Sequence, residues 1–261
     1  MAEAGADLRE VVAAQASVRH SPCPDASLDT EALKGERVIV HELTVEGWCH
    51  CTLEADGYPG WVPAGTLGPP GPPATHKVAV PRTLVFPGPS IKLPPLEALS
   101  LGCRLAVIRS EEPFAILPGG GYVPTRHLMR LDEFASDPVA IAEAFLHVPY
   151  LWGGRTSFGV DCSGLVQLAL NAGGLSCPRD SHMQEAALGA LLCGIVDPRR
   201  GDLLFWKGHV AIARDDHTLI HANAFHMAVA IETIAEAIAR IGAPTSVRRI
   251  DGRDGIRPIV A

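Results

Sequence analysis

The segment DCSG at 161–164 places a cysteine directly before an apolar run with helical spacing. Cys162 is therefore expected at or next to a helix N-terminus, where free backbone N–H groups and the helix dipole stabilise a thiolate. A thiolate is the form of cysteine that attacks a carbonyl carbon, and N–H groups of the same turn can bind the oxyanion that develops. These residue types indicate nucleophilic catalysis, with Cys162 as the nucleophile.

Two histidines further along the chain can serve such a nucleophile. His209 begins an expected strand, from which its imidazole can point across a cleft to a thiol on a helix. His221 and Asn223 lie at the end of another expected strand, and either side chain could orient the imidazole of His209 and fix its tautomer. A zinc site formed by Cys162, His209 and His221 is the alternative. Because a helix-start cysteine is better explained as a nucleophile, we predict no metal and no other cofactor.

Tyr150 lies upstream of the cysteine in the segment YLWGG at 150–154. The two glycines of this segment allow the backbone to approach a ligand closely. The phenol of Tyr150 could therefore lie near the reaction centre and donate a hydrogen bond to the oxyanion.

The other six of the seven cysteines need no catalytic role. The odd total and irregular spacing do not match a disulfide framework and favour a reducing compartment. In the run Cys49-His50-Cys51, strand alternation places both cysteines on one face and His50 on the other. This arrangement predicts packing in a core rather than metal binding.

Composition restricts the partners and the location of the protein. Apolar residues make up 47 % of the 261 residues, so a sizeable core can form, and the net charge is −7. Because no basic run is interleaved with aromatic residues, we predict neither nucleic acid nor a membrane as a partner. The N-terminus lacks a basic start followed by an apolar stretch, and no run reaches the roughly 20 apolar residues of a membrane helix. We therefore expect a cytoplasmic location.

Three regions differ in their residue pattern, and they predict domains at 1–70, 74–133 and 134–261. In the first region, RVIVHEL at 37–43 and WCHCTL at 48–53 have the composition of strands, and turn residues separate them from other short runs, as in a small β-barrel. A proline-rich linker, GPPGPP, follows. The second region repeats the pattern weakly, with a late glycine-aromatic-valine sequence in both regions, which predicts two related β-barrels.

The third region has a mixed pattern from residue 134 onward. The expected helices span 138–147, 163–172 and 231–241, and the expected strands span 202–206, 209–213 and 218–221. Helices followed by mainly antiparallel strands form an α+β layout.

Together, six segments of this third region resemble the NlpC-type family of bacterial cell-wall cysteine peptidases, which have a compact papain-like fold. The matching segments are YLWGG at 150–154, DCSG at 161–164, PRDS at 178–181, RGDLLFW at 200–206, GHV at 208–210 and HAN at 221–223. They come in the order of the family. By this resemblance Cys162 is the nucleophile, His209 is the general base and His221 is the third, orienting residue.

The first region resembles a bacterial SH3-like domain through GYPGWV at 57–62. The second region is similar to a degenerate copy of it, in which Tyr122 stands where Trp61 would be. The resemblance therefore implies an α+β protein in which two small SH3-like β-barrels precede a compact papain-like catalytic domain.

Two such domains before this catalytic domain resemble the subgroup that recycles cell-wall peptides. That subgroup cleaves between D-γ-glutamate and the following diamino acid, and it prefers peptides with a free N-terminal L-alanine. The residues that match its substrate-contact positions are Tyr58, Tyr150, Asp161, Ser163 and Ser181. The subgroup also uses an acidic residue of the first domain, and the candidates here are Asp25, Asp29 and Glu31. Asp161 could pair with the free ammonium of the substrate or cap the helix, and both roles remain open.

The sequence thus predicts a hydrolase of short murein peptides that acts through a thioester on Cys162. The diamino acid could be meso-diaminopimelate or L-lysine. One alternative is a binding protein whose SH3-like domains hold a peptide or glycan beside an inactive catalytic domain. Another is an amidase or acyltransferase with the same fold.

Overall fold

The computed structural model describes residues 7–192 and 198–250, and Cys193 lies outside the described residues. The chain divides into two compact units, Met1–Glu133 and Phe134–Ala261. Both predicted barrels belong to the first unit, and the predicted catalytic region belongs to the second. Along the described part of the chain, no helix is both long and apolar enough to cross a membrane.

A seven-stranded antiparallel sheet forms the first half of the first unit. Its strands are β1 (Asp7–Val11), β2 (Gln15–Arg19), β3 (Leu28–Leu33), β4 (Arg37–Leu43), β5 (Trp48–Leu53), β6 (Pro59–Pro63) and β7 (Leu67–Gly68). They pair in the order β3-β2-β6-β5-β4-β1-β7. The strands predicted at 37–43 and 48–53 are confirmed as β4 and β5, because alternating apolar residues bury one face of each in a common core.

The cysteines of β5 pack in that core, as the alternation predicts. Cys49 and Cys51 are buried among valines and leucines, and His50 lies on the other face, where its ring is 5.0 Å from the ring of Trp61. Burial raises the pKa of Cys51 to about 12, so this thiol stays protonated. All six cysteines in the described residues are free thiols.

The second half of the first unit consists of three small antiparallel sheets. Its strands are β8 (His76–Val78), β9 (Arg82–Val85), β10 (Glu97–Ser100), β11 (Arg104–Leu105), β12 (Arg109–Glu111), β13 (Phe114–Ile116), β14 (Tyr122–Pro124) and β15 (Leu128–Arg130). A short 3-10 helix links β14 to β15, as another links β6 to β7, which agrees with the predicted repeat. Leu33 of β3 packs in the core of this second half, so the two halves share apolar contacts.

The second unit has a six-stranded antiparallel sheet and four helices. Its elements are α1 (Pro138–Glu143), β16 (Arg155–Thr156), β17 (Gly159–Val160), α2 (Cys162–Ala172), α3 (Ser181–Ala187), β18 (Ala190–Leu191), β19 (Leu203–Trp206), β20 (His209–Ala213), β21 (Thr218–Asn223), β22 (Ala228–Thr233), α4 (Ile234–Ile241) and β23 (Ser246–Arg249). The sheet order is β18-β23-β19-β20-β21-β22. Helix α2 packs on β20 and β21 and is buried on every face along its first nine residues, as expected of a central helix.

Helix α1 is shorter than the predicted span of 138–147. It ends at Glu143, and the chain continues in turns until His147, whose φ of 70° lies in the left-handed region. The sequence continues with Val148 and Pro149, and a residue before proline is disfavoured in a helix. Val148 and Pro149 therefore prevent a helix beyond His147, and α1 ends four residues before that point, at Glu143.

The last predicted helix, 231–241, is wrong at its start. Its first three residues extend strand β22, and α4 begins at Ile234. Thr233 and Glu236 form a capping box there, in which each side chain binds the backbone N–H of the other residue. Strands β22 and β23 and helix α3 were not predicted, because their short apolar runs carry no clear period.

Candidate active site

Cys162 is the first residue of helix α2 and its side chain is buried, with 8 % of the residue exposed. Asp161 caps the helix, and its Oδ1 accepts from the backbone N–H of Gly164 at 2.7 Å. A Cβ at Gly164 would lie 2.4 Å from the carbonyl oxygen of Gly154, so this turn of the DCSG segment requires glycine. The local sequence thus positions the thiol where the predicted helix starts.

Burial of the Cys162 thiol opposes the thiolate expected from its place at a helix N-terminus. Burial, with a smaller contribution from the charge of Asp161, raises the pKa of Cys162 to about 11. The backbone N–H groups of Val210 and Ser163 and the charge of Arg179 lower the pKa but do not offset burial. Attack on a carbonyl carbon therefore requires a base that takes the thiol proton.

His209 is the first residue of β20 and precedes Val210, whose backbone N–H contacts the thiol. Burial, with smaller contributions from His221 and Arg240, lowers the pKa of His209 to about 4. The imidazole is therefore neutral at pH 7 and can accept a proton. The structure brings the predicted base and nucleophile to the same place, at the junction of α2 and β20.

His221, rather than Asn223, contacts the imidazole of His209. Nε2 of His209 lies 2.8 Å from Nδ1 of His221, whereas Oδ1 of Asn223 accepts from the backbone N–H of His226 at 2.8 Å. For His209 to accept the thiol proton on Nδ1, its own proton must be on Nε2, which then donates to His221. This geometry gives His221 the position of the orienting residue.

Replacement of His221 tests this orientation. In His221→Ala the buried Nε2–H of His209 loses its acceptor, and we expect kcat to fall by roughly 100-fold while the thiol stays in place. In His221→Asn an amide oxygen can accept the same proton, so a larger share of the activity should remain. Steady-state kinetics on a murein peptide measure both variants. If asparagine is no better than alanine, hydrogen bonding to His209 is not the role of His221.

Arg179, which belongs to the PRDS segment, lies beside Asp161 in the structure. Its side chain is 1 % exposed and forms a bidentate ion pair with Asp161, with distances of 3.0 Å to Oδ1 and 2.7 Å to Oδ2. The N–H of Gly153 also donates to Oδ2 at 2.9 Å, from a backbone with a φ of 74° that favours glycine. The carboxylate beside the nucleophile thus already has a cationic partner.

This result changes the prediction for Asp161. The capping role is observed, through the bond from Gly164. Arg179 already pairs with the carboxylate of Asp161, so a substrate ammonium would be a second cationic partner. The contact between the ammonium and Asp161 should therefore contribute less to binding than an isolated ion pair would. Arg179 could have been suspected from the sequence only as a lone basic residue near an acidic one, which is a weak signal.

The remaining predicted contact residues occupy different positions. Tyr150 is half-buried, and its pKa is raised to about 12 by burial and by the nearby Cys162 and Asp161, so its phenol stays a donor. The hydroxyl of Ser163 bridges Asp161 and Arg179. Ser181 begins α3, a helix that Gln184 ties to the backbone carbonyl of Ser163 at 2.9 Å.

Tyr58 belongs to the first unit, where its side chain packs beside the core of the seven-stranded sheet. Of the acidic candidates, Asp25 is exposed, Asp29 lies 3.5 Å from His20, and Glu31 is buried and accepts from Gln15. Substrate contact by these residues stays a prediction.

One group of three potential metal ligands lies close together in residues 7–192 and 198–250. It consists of His221, His226 and Glu232, and it differs from the zinc set considered from the sequence. Arg240 forms an ion pair with Glu232, so a cation at this group would meet a positive charge. These residues are better explained by hydrogen bonding than by metal binding.

Two family models match the chain. The model of the NlpC/P60 family matches residues 147–240, and the model of the bacterial dipeptidyl-peptidase Sh3 domain matches residues 18–67. The first match contains the site around Cys162, and the second lies in the seven-stranded sheet. Both agree with the resemblances found in the sequence.

Similar proteins support the same assignment. Gamma-D-glutamyl-L-lysine dipeptidyl-peptidase of Bacillus subtilis is 30 % identical over 239 residues, covering 83 % of this chain and 79 % of that protein. The protein of the same name from Bacillus cereus is 28 % identical and covers 75 % of this chain and 67 % of its own length. A crystal structure of an NlpC/P60 family protein from Bacillus cereus aligns with a TM-score of 0.79 over 93 % of this chain and 99 % of that chain, at 22 % identity. The predicted α+β fold, with an SH3-like region before a papain-like domain, is confirmed.

Proposed function

The chain belongs to the NlpC/P60 family of cysteine peptidases, and on that basis we propose that it hydrolyses short murein peptides between D-γ-glutamate and the following diamino acid. The observation that carries the proposal is a buried thiol at the start of α2 that contacts the backbone N–H of Val210, the residue after His209, whose own ring lies 2.8 Å from His221. Two relatives named for cleavage after γ-D-glutamate support the bond. Because Cys162, His209 and His221 are all present, an inactive catalytic domain has no support.

The proposed reaction begins with transfer of the thiol proton of Cys162 to Nδ1 of His209. The sulfur then attacks the γ-carbonyl carbon of D-glutamate, and the oxyanion is stabilised by backbone N–H groups at the start of α2 and by the phenol of Tyr150. When the intermediate collapses, the C–N bond breaks and the amine of the diamino acid leaves with the proton from His209. A thioester to Cys162 remains.

Water completes the proposed cycle. His209, again neutral, accepts a proton from a water molecule, whose oxygen attacks the thioester carbonyl. The C–S bond then breaks, the sulfur regains its proton from His209, and L-Ala-γ-D-Glu is released as a free acid.

A requirement for a free N-terminus on the substrate is the second part of the proposal. It is supported by the carboxylate of Asp161, which lies next to the nucleophile and can accept a hydrogen bond from an ammonium. Since Arg179 already pairs with Asp161, the ammonium gains a charge-assisted hydrogen bond rather than a whole ion pair.

The test compares L-Ala-γ-D-Glu-L-Lys, its meso-diaminopimelate counterpart and the N-acetylated form of each. The products are identified by mass spectrometry, which shows the bond cleaved and the preferred diamino acid. We expect acetylation to lower kcat/KM by roughly 10- to 100-fold, because hydrogen bonds to charged groups contribute about 1.5–3 kcal/mol. An α-linked L-Ala-D-Glu-L-Lys peptide is the control for the γ-bond.

Two outcomes would contradict the proposal. If none of the γ-linked peptides is cleaved but another acyl donor is, the protein is an amidase or acyltransferase of this fold. If the acetylated and free peptides are cleaved equally well, no amine subsite exists and Asp161 serves only α2 and Arg179.

A role in recycling released wall peptides in the cytoplasm is the third part of the proposal. It is supported by the free thiols of all six cysteines in the described residues, which suit a reducing compartment. Fractionation of cells that produce the native protein, with the activity assayed in each fraction, tests the location.

A further inference from the structure

His221 has two ring nitrogens, and the proposed mechanism uses only one of them. Its Nδ1 lies 2.8 Å from Nε2 of His209. On the other edge of the ring, Nε2 is buried without a hydrogen bond of normal geometry, and Oε1 of Glu232 lies 2.8 Å away. Buried polar nitrogens nearly always have a partner in native proteins, so this carboxylate is the group to examine.

Glu232 reaches His221 because both side chains lie on one face of the β21–β22 pair. Leu219 pairs with Glu232 and His221 pairs with Ala230, so His221 and Glu232 are diagonal neighbours across the strands. The side chain of Glu232 is 9 % exposed, and a carboxylate buried to this degree is costly without a cation. Arg240 of α4 provides the cation through a direct ion pair.

We propose that Glu232 is a positioning residue that keeps the proton of neutral His221 on Nε2, and that Arg240 holds Glu232 in place. A carboxylate only accepts hydrogen bonds, so it favours the tautomer with N–H on its side. The lone pair on Nδ1 of His221 then accepts the Nε2–H of His209, which leaves Nδ1 of His209 free to take the thiol proton. This inference rests on the proposed function. It adds the carboxylate of Glu232 and the guanidinium of Arg240 to the hydrogen-bonded pair of His209 and His221.

The charged groups around His221 agree with a neutral ring. Burial, with smaller contributions from the charges of Arg240 and His226, lowers its pKa to about 3. The contact with Glu232 is therefore between a neutral imidazole and a carboxylate. Burial and the charges of His221 and Arg240 lower the pKa of His209. The charge of Glu232 raises the pKa of His209. The carboxylate thus favours the imidazolium that His209 becomes during catalysis.

Three substitutions separate this role from a purely structural one. Glu232→Gln and Arg240→Met both break the ion pair, but only Glu232→Gln removes the carboxylate from His221. Glu236→Gln is the matched control, since it makes the same chemical change in a nearby exposed glutamate that caps α4 with Thr233.

In Glu232→Gln we expect kcat on a γ-linked murein peptide to fall about 10- to 100-fold, the range for outer partners that orient a functional imidazole, with KM little changed. Arg240→Met should lose less, and Glu236→Gln should keep its kcat. The ¹⁵N spectra of the histidine side chains should show His221 with its proton on Nε2 in the wild type, Arg240→Met and Glu236→Gln. The Nδ1–H tautomer should gain population in Glu232→Gln.

Equal losses of kcat in Glu232→Gln and Arg240→Met, with an unchanged tautomer, would make Glu232 only half of a structural ion pair and overturn the proposal. If Glu232→Gln does not fold, the wild-type spectrum decides, because a proton on Nδ1 of His221 contradicts the proposal and a proton on Nε2 supports it. The spectra need no substrate. A protein that shows the expected tautomers but cleaves no murein peptide would refute the proposed function and leave this inference standing.

Discussion

Replacing Cys162 with alanine is expected to lower kcat by a factor on the order of 10⁶, because no other group in the site can form the thioester. Alanine is smaller than cysteine and suits the first turn of a helix, so the fold should be retained. His209→Ala should have an effect of similar size, since burial raises the pKa of the thiol and His209 is the proposed acceptor of its proton.

The double variant distinguishes a catalytic unit from two independent contributions. If thiol and imidazole act together, Cys162→Ala/His209→Ala should be no slower than Cys162→Ala alone. Single-turnover assays with excess enzyme measure these low rates, and circular dichroism checks the fold of each variant. Activity in Cys162→Ala within a factor of about 10 of the wild type would end the assignment of the nucleophile.

Breaking the buried ion pair at Arg179 is expected to have the largest effect on stability. Arg179→Met leaves the carboxylate of Asp161 without its cation, at a cost of about 3–5 kcal/mol in the free energy of unfolding. The same change should raise the pKa of Cys162 further, because the charge of Asp161 raises this pKa and Arg179 opposes it. The pH at which iodoacetamide alkylates Cys162 at half its maximal rate should therefore move upward.

Arg249→Met is the matched control for this prediction. Arg249 forms a bidentate ion pair with the buried Asp202, so its loss should also destabilise the protein. It should leave the alkylation profile of Cys162 unchanged, because this pair does not include Asp161. Urea unfolding and pH-dependent alkylation are measured on both variants, and an equal shift of the alkylation profile in both would show that loss of stability alone explains it.

A second substitution tests whether the cost in Arg179→Met comes from the unpaired carboxylate. Arg179→Met/Asp161→Asn removes both charges, and removal of both partners of a buried pair costs less than removal of one. We expect the double variant to be more stable than Arg179→Met. If it is less stable, the packing of the Arg179 side chain rather than its charge supports the site.

The positions of Cys162 at a helix start and of His209 at a strand start could be predicted from sequence because their signals are local. Cys162 follows an aspartate and precedes an apolar run, and this combination specifies a capped helix start within four residues. His209 begins a short β-branched and apolar run, which became β20 over the predicted residues. Adjacent residues alone determine such caps and alternation patterns.

Other features depended on residues distant in sequence. Arg179 pairs with Asp161 across 18 positions, and no spacing rule connects the two. His221 and Asn223 have similar surroundings in the sequence, and only the turn between β21 and β22 decides that Asn223 binds His226 while His221 faces His209. Glu232 was expected in a helix, and its position opposite Leu219 comes from strand pairing.

The sequence by itself determined the family resemblance, the fold class and the place of Cys162 at a helix start, since these follow from motifs and short-range patterns. The tertiary structure alone decided the charge state of that thiol. A helix N-terminus favours a thiolate, but burial in the second unit raises the pKa of Cys162 to about 11. Removing a charged sulfur from water costs more free energy than hydrogen bonds from a few backbone N–H groups contribute. Burial is a property of the assembled chain, and no local segment carries it.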